Sequence, residues 1–236
     1  MIPKPFRSIA ATGAALVFVG CGHPVQETAA HKIADRLPAV LGPAVHYDVQ
    51  VDADPFALSR GHARAVHVQG VGVQLSPSLT LDTLTADVSD VSFDTKTQKL
   101  SHLGQTAFTA SLGQGNLSRY LAQSKSRLPG LEVTLLPDTV EARVPVSALG
   151  YQTTAALSGS LHPSSDDPRR LDFVVSSAQL GRVPVPAVLV NLALDALNPL
   201  LDLSALRVPL AVTDAKVTSS RLRLSGTANL SGLVLP

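Results

Sequence analysis

The chain has a single cysteine, Cys21, so no intramolecular disulfide can form and apolar burial must hold the fold together. Tryptophan is absent and aromatics make up 4% of the 236 residues; Val, Leu and Ala carry the apolar content, and the expected core is aliphatic. No run of 20 apolar residues occurs, so a spanning helix is not expected. A basic surplus is missing too. Setting aside Lys4 and Arg7 near the N-terminus leaves 17 basic against 18 acidic residues, a balance near −1. Phosphate-backbone recognition needs concentrated positive charge, so nucleic acid is not an expected partner.

Catalytic signatures are also lacking: there is no G-x-S-x-G elbow, H-E-x-x-H, C-x-x-C or Walker loop. Gly113-Gln114-Gly115 lacks the following glycine of a dinucleotide loop and reads as a turn. His62 and His67, five apart on a strand pattern, are expected on opposite faces, and no H-x-H spacing puts two ligands on one face. No metal, no cofactor and no enzymatic activity are therefore expected. A catalytic site would need Ser, His and Asp brought together from separate strands.

What is present begins with an export-like N-terminus. Lys4 and Arg7 precede a short apolar stretch, Ile9 to Val19, as in a signal peptide. Cys21 follows Phe18-Val19-Gly20, an arrangement close to a lipobox, in which the cysteine takes a diacylglyceryl thioether. No A-x-A cleavage site is present, and the competing reading is an ordinary cleaved signal with an incidental cysteine. The expected organisation is residues 1–21 as signal with Cys21 as lipidation site, 22–30 as tether, and 31–236 as one domain.

Val25, Ala29, Ile33, Leu37 and Leu41 recur every fourth residue, an apolar helical stripe interrupted at Pro38. From His46 the period becomes two. Val66 and Val68 give way to Val71, Val73 and Leu75, a phase slip that predicts a β-bulge at Gly70; Leu84, Ala86 and Val88 slip again to Val91 and Phe93. Alternation between turn clusters continues to Leu224, giving about ten strands, with the loop 164–170 the most exposed. Residues 116–128 predict a short helix capped by Asn116, with Leu117, Tyr120 and Leu121 facing in.

One further helix stands out. From Pro186 to Leu197 the polar residues Asn191 and Asp195, continued by Asn198 and Asp202, fall in one narrow arc, and everything else is apolar. Val188, Leu189, Val190, Leu192, Leu194 and Leu197 offer more surface than one sheet face can bury. Such a helix is either wrapped as core by a curved sheet or lines a groove for an apolar ligand. Its twelve residues span about 18 Å, comparable with an extended acyl chain. Phe56, Phe93 and Phe108 are aromatic candidates for the same groove, with burial in the sheet as their competing role. Arg60 and Arg64 are candidates for a lipid phosphate, because guanidinium pairs with it bidentately, or for a solvated strand edge.

Three blocks, "VQVDADPFALSRGHARAVHVQGVGV" (49–73), "FTASLGQGNLSRYLAQ" (108–123) and "VPLAVTDAKVTSSRLRLSG" (208–226), resemble in order those of the LmeA-like phospholipid-binding family of bacterial envelope proteins. Asp54, Pro55, Leu58 and Gly61 carry its D-P-x-x-L-x-x-G element; Leu117, Tyr120 and Leu121 carry its helix pattern. The resemblance implies an α+β single domain, similar to the tubular lipid-binding (TULIP-like) superfamily: an elongated, curved antiparallel β-sheet with bulges, wrapped around a few helices. It also implies phospholipid as partner and an extracytoplasmic location, with a Cys-linked membrane anchor in some members. The expected function is an envelope protein that binds or transfers phospholipid, holding acyl chains in an aliphatic groove. The alternative is a structural or interaction lipoprotein with a closed core and no lipid ligand.

Overall fold

A computed structural model describes residues 24–94, 100–148, 151–180, 183–184, 187–204, 206 and 208–229. Their order is α1 (Pro24–Leu41), β1 (His46–Asp52), α2 (Pro55–Ser59), β2 (His62–Gln74), β3 (Thr80–Phe93), β4 (Leu100–His102), β5 (Thr106–Gly113), α3 (Gln114–Ser124), β6 (Glu132–Leu136), β7 (Thr139–Ala148), β8 (Tyr151–Pro163), β9 (Arg170–Leu180), β10 (Val183–Pro184), α4 (Ala187–Leu197), β11 (Leu201–Asp202), β12 (Leu210–Thr218) and β13 (Arg221–Ala228). The architecture is α+β with antiparallel pairing throughout, as expected, but the strands form two sheets. The first runs β1-β2-β3-β5-β13-β12 with β4 beside β3 and is strongly curled; the second runs β10-β9-β8-β7-β6 with β11 beside β9. Among the described residues thirteen strands replace the expected ten or so, because β4, β10 and β11 are too short for alternation to register.

The two phase slips are real but are not bulges. β2 and β3 keep one register from His62↔Ser92 to Gln74↔Thr80. What changes is which face each strand turns inward. Gly72, at φ +63°, separates inward Val68 from inward Val73, and Asp90, at φ +52°, separates inward Val88 from inward Val91. Positive φ reverses the facing without adding a residue, and glycine adopts it at no steric cost. In that register Gly72 stands opposite Asp82 and Arg64 opposite Asp90, so both strands switch faces at matched places. The same switch corrects the histidine expectation. His62 and His67 both lie on the outer face, beside Asp90 and Asp87 respectively.

Helix boundaries also differ from the sequence reading. α1 begins at Pro24, so residues 24–30 of the expected tether are helical, and it continues through Pro38 to Leu41. Pro38 lacks the N–H that would bond the Ala34 carbonyl, and the helix nevertheless runs on for three residues beyond it. Asn116 does not cap α3; Gly113 holds the cap position and the Asn116 amide donates to Asp82. Gln114 instead ties the helix to β6, accepting from the Leu135 N–H at 2.8 Å and donating to the Val133 carbonyl. Leu117, Tyr120 and Leu121 are buried as expected.

The core has two parts. The larger joins the second sheet to β5, β12, β13, α3 and the end of α4, with Phe173, Leu171, Leu112, Leu117 and Leu222 essentially solvent-free. A smaller cluster of Ala30, Val49, Leu58, Ala63, Val66, Val68, Val88 and neighbours lies under α1.

The D-P-x-x-L-x-x-G element has a local physical cause. The Asp54 carboxylate accepts from the N–H groups of Phe56 (2.9 Å) and Ala57 (3.3 Å), Pro55 occupies the first helical turn, Leu58 is buried, and Gly61 turns out of the helix at φ +83°. Asp54→Ala removes the acceptor for both N–H groups. It should lower stability by about 1 kcal/mol, read as a shift of the urea midpoint without a change of slope; an unchanged midpoint would mean that Pro55 alone sets the turn.

An apolar cavity beneath the first helix

A cavity of about 690 Å3 opens between α1 and the concave face of the first sheet. That is within the range of small-molecule sites, about 300–1,000 Å3. Strand register explains its lining. Three ladder rows cross the sheet: Val51–Val66–Val88–Thr106–Ala228, Val49–Val68–Ala86–Phe108–Gly226 and Tyr47–Gly70–Leu84–Ala110–Leu224. Successive rows are about 7 Å apart, two residues of rise. All five residues of the first row face the cavity, as do Val68, Ala86, Phe108, Leu84, Ala110 and Leu224. Leu203, Leu206, Val208 and Leu210, on the segment leading into β12, line it as well.

The wall that α1 provides has two stripes, Thr28–Lys32–Arg36–Val40 and Ala29–Ile33–Leu37–Leu41. From Thr28 to Leu41 they extend about 20 Å. One stripe is apolar and belongs against the sheet; the other puts two cations along an apolar space. Among the described residues neither Lys32 nor Arg36 has an ion-pair partner. α1 is tied to β1 at both ends. The Gln26 amide donates to the Ala53 carbonyl at 2.6 Å, and the Tyr47 hydroxyl donates to the Gly42 carbonyl at 2.8 Å. Burial pushes the Tyr47 phenol up to about 12, so it holds that proton throughout the neutral range.

Two polar side chains are buried among the described residues, Thr106 and Ser111. Ser111 shares a 2.7 Å hydrogen bond with Thr83. Thr106, 3% exposed and lining the cavity, has a hydroxyl with no partner among the described residues. Leaving a buried hydroxyl unpaired costs about 1–3 kcal/mol, and valine would fill the same volume without that cost.

The sequence candidates separate clearly on this frame. Phe93 and Phe108 line the cavity. Phe56 does not; it is 77% exposed on α2. Leu197 is 1% exposed in the core of the second sheet, and Leu194 packs against that core, so neither lines the cavity. The reason is that α4 docks on β9, where the Asn198 side chain accepts from the Phe173 N–H at 2.7 Å and donates to its carbonyl at 3.1 Å. What looked like the polar stripe of a helix is at Asn198 a clamp onto a strand. The side chains of Val188, Leu189 and Leu192 lie outside the described residues, as does Cys21. Arg64 is paired with Asp52 on the outer face, 3.0 Å from its Nε, and Arg60 donates to the Phe56 carbonyl at 3.2 Å. Neither arginine lines the cavity. Lys32, Arg36 and Thr106 escaped the sequence reading. The 28/32/36/40 spacing was a signal for the first two, whereas Thr106 reads from sequence as one more strand threonine.

No curated protein and no solved structure matches the chain. The sequence model of one family matches residues 25–227, from the second residue of α1 to the penultimate residue of β13. The match therefore takes in every element that walls the cavity, and the chain belongs to the LmeA-like phospholipid-binding family.

Proposed function

We propose that this protein holds the acyl part of a phospholipid in the cavity between α1 and the curled sheet, and carries or presents that lipid outside the cytoplasmic membrane of the bacterial envelope. The observation that carries the reading is an aliphatic space about 20 Å long beside Lys32 and Arg36, which have no ion-pair partner among the described residues. One leaflet's acyl chain extends about 15 Å, half the hydrocarbon thickness of a bilayer, so the length suffices. Moving an acyl chain of about 14 methylenes into water costs about 11 kcal/mol at about 0.8 each. Moving it between bilayer hydrocarbon and an aliphatic wall is close to neutral, so loading and unloading need no chemistry. The family is described by lipid binding rather than by a reaction. The cavity favours this reading over a scaffold with a closed core, which would leave no such space under α1.

Lys32 and Arg36 are placed to receive the phosphate, in preference to Arg60 and Arg64. Residues 1–20 act as the export signal and Cys21, retained behind it, as the anchor; on this reading Cys21→Ala should move the protein from the membrane to the soluble fraction. The test of the function is native mass spectrometry of the protein purified without strong detergent, before and after incubation with phosphatidylglycerol vesicles. Stoichiometric phospholipid is expected, and protein that stays empty would refute the reading. With Lys32→Gln and Arg36→Gln combined, affinity for phosphatidylglycerol should fall roughly tenfold at low salt, about 1.4 kcal/mol, while phosphatidylcholine binding changes less.

A further inference from the structure

We propose that Thr106 is the polar anchor of the cavity, donating its hydroxyl proton to an ester carbonyl of the bound lipid and so fixing which way the lipid lies. The assignment rests on the lipid-binding reading and deepens it. Thr106 is the polar member of a ladder row whose other residues, Val51, Val66, Val88 and Ala228, are apolar, and all five face the cavity. Its hydroxyl is the buried side-chain atom among the described residues that lacks a hydrogen-bond partner. A turn about χ1 exchanges this covered oxygen with the methyl group, and an acceptor on a ligand in the cavity then satisfies it. Within the apolar part of a phospholipid, the acceptor is the ester carbonyl at the head of each acyl chain.

Position along the cavity supports this assignment. α1 runs antiparallel to β1, with Gln26 held at Ala53 and Gly42 held at Tyr47. Thr28 and Lys32 are therefore nearest the Val51 end, and Val51 begins the row that contains Thr106. The hydroxyl and the start of the cationic stripe thus share one end of the cavity. A lipid with its esters there has its chains directed towards Leu41, Leu75 and Leu81 at the other end. From Val88 to Leu81 along β3 is about 23 Å, more than one chain requires.

The experiment compares diacyl phosphatidylglycerol with its dialkyl ether analogue of equal chain length, each displacing a fluorescent lipid from the full chain. Wild type should prefer the ester lipid about fivefold, the value of one hydrogen bond that the ether does not offer. Thr106→Val should bind both alike and Thr106→Ser should keep the preference. Thr106→Val without ligand should melt at the same temperature as wild type or higher, which separates loss of the anchor from loss of the fold. Equal binding of the two lipids by wild type, or an undiminished preference in Thr106→Val, would overturn the assignment. Binding of neither lipid by wild type would overturn the lipid-binding reading, and the anchor with it.

Discussion

Ala86→Trp is expected to abolish phospholipid binding while leaving the protein folded. Ala86 occupies the middle of the central ladder row, between Val68 on β2 and Phe108 on β5, and its side chain faces the cavity. An indole built there projects into open space rather than into packed neighbours, so the overpacking cost of about 1–3 kcal/mol for a filled core does not apply. The ligand meets the opposite situation. Displacing about four methylenes of an acyl chain from the wall forfeits about 3 kcal/mol, a loss of affinity above a hundredfold. The measurement is a lipid-displacement titration with a urea unfolding curve beside it. Wild-type affinity in a folded Ala86→Trp protein would place the acyl chain elsewhere and remove the cavity from the account.

Phe173→Ala should have the largest effect on stability. The ring is 1% exposed, at the centre of the core that joins the second sheet to α3 and to β12 and β13 of the first. Truncating a buried phenylalanine costs about 3–5 kcal/mol, the lost transfer energy plus the cavity left behind. Against a usual total of about 5–15 kcal/mol, that is about a fifth or more of what holds a domain together. Chemical denaturation of the two proteins gives the number directly. A loss under about 1 kcal/mol would mean that the site collapses onto the deletion and that the second sheet is less firmly joined than its burial indicates.

The pattern of the first sheet was legible because alternation reports facing, and facing is what makes the cavity. Val66, Val68, Leu84, Ala86, Val88 and Phe108 can all be read as inward residues from period two. The slips were legible as well, though their mechanism was not. An extra residue and a positive φ both shift the apolar phase by one, and only the pairing register tells them apart. That α1 walls the cavity is harder to read from the sequence, for a different reason. Apolarity around α4 signals burial, which the larger core supplies at Leu197, whereas a ligand wall needs one face against protein and one face left over. α1 meets that description with its paired stripes, and its charges made it look like an ordinary surface helix. The division of strands into two sheets could not be read locally, since β12 pairs in one sheet while packing across β8 of the other.

The matched face-switches of β2 and β3 also constrain how such a chain can vary over evolutionary time. A single-residue insertion in β2 between Val66 and Gly72 would turn the lining beyond it towards water. A matching insertion in β3 would restore the pairing but not the facing, because both strands beyond it would present their other side. A bulge, or a deletion nearby in the same strand, returns the phase. Substitutions along this hairpin can therefore accumulate one at a time, whereas a change of length survives only where it is absorbed locally.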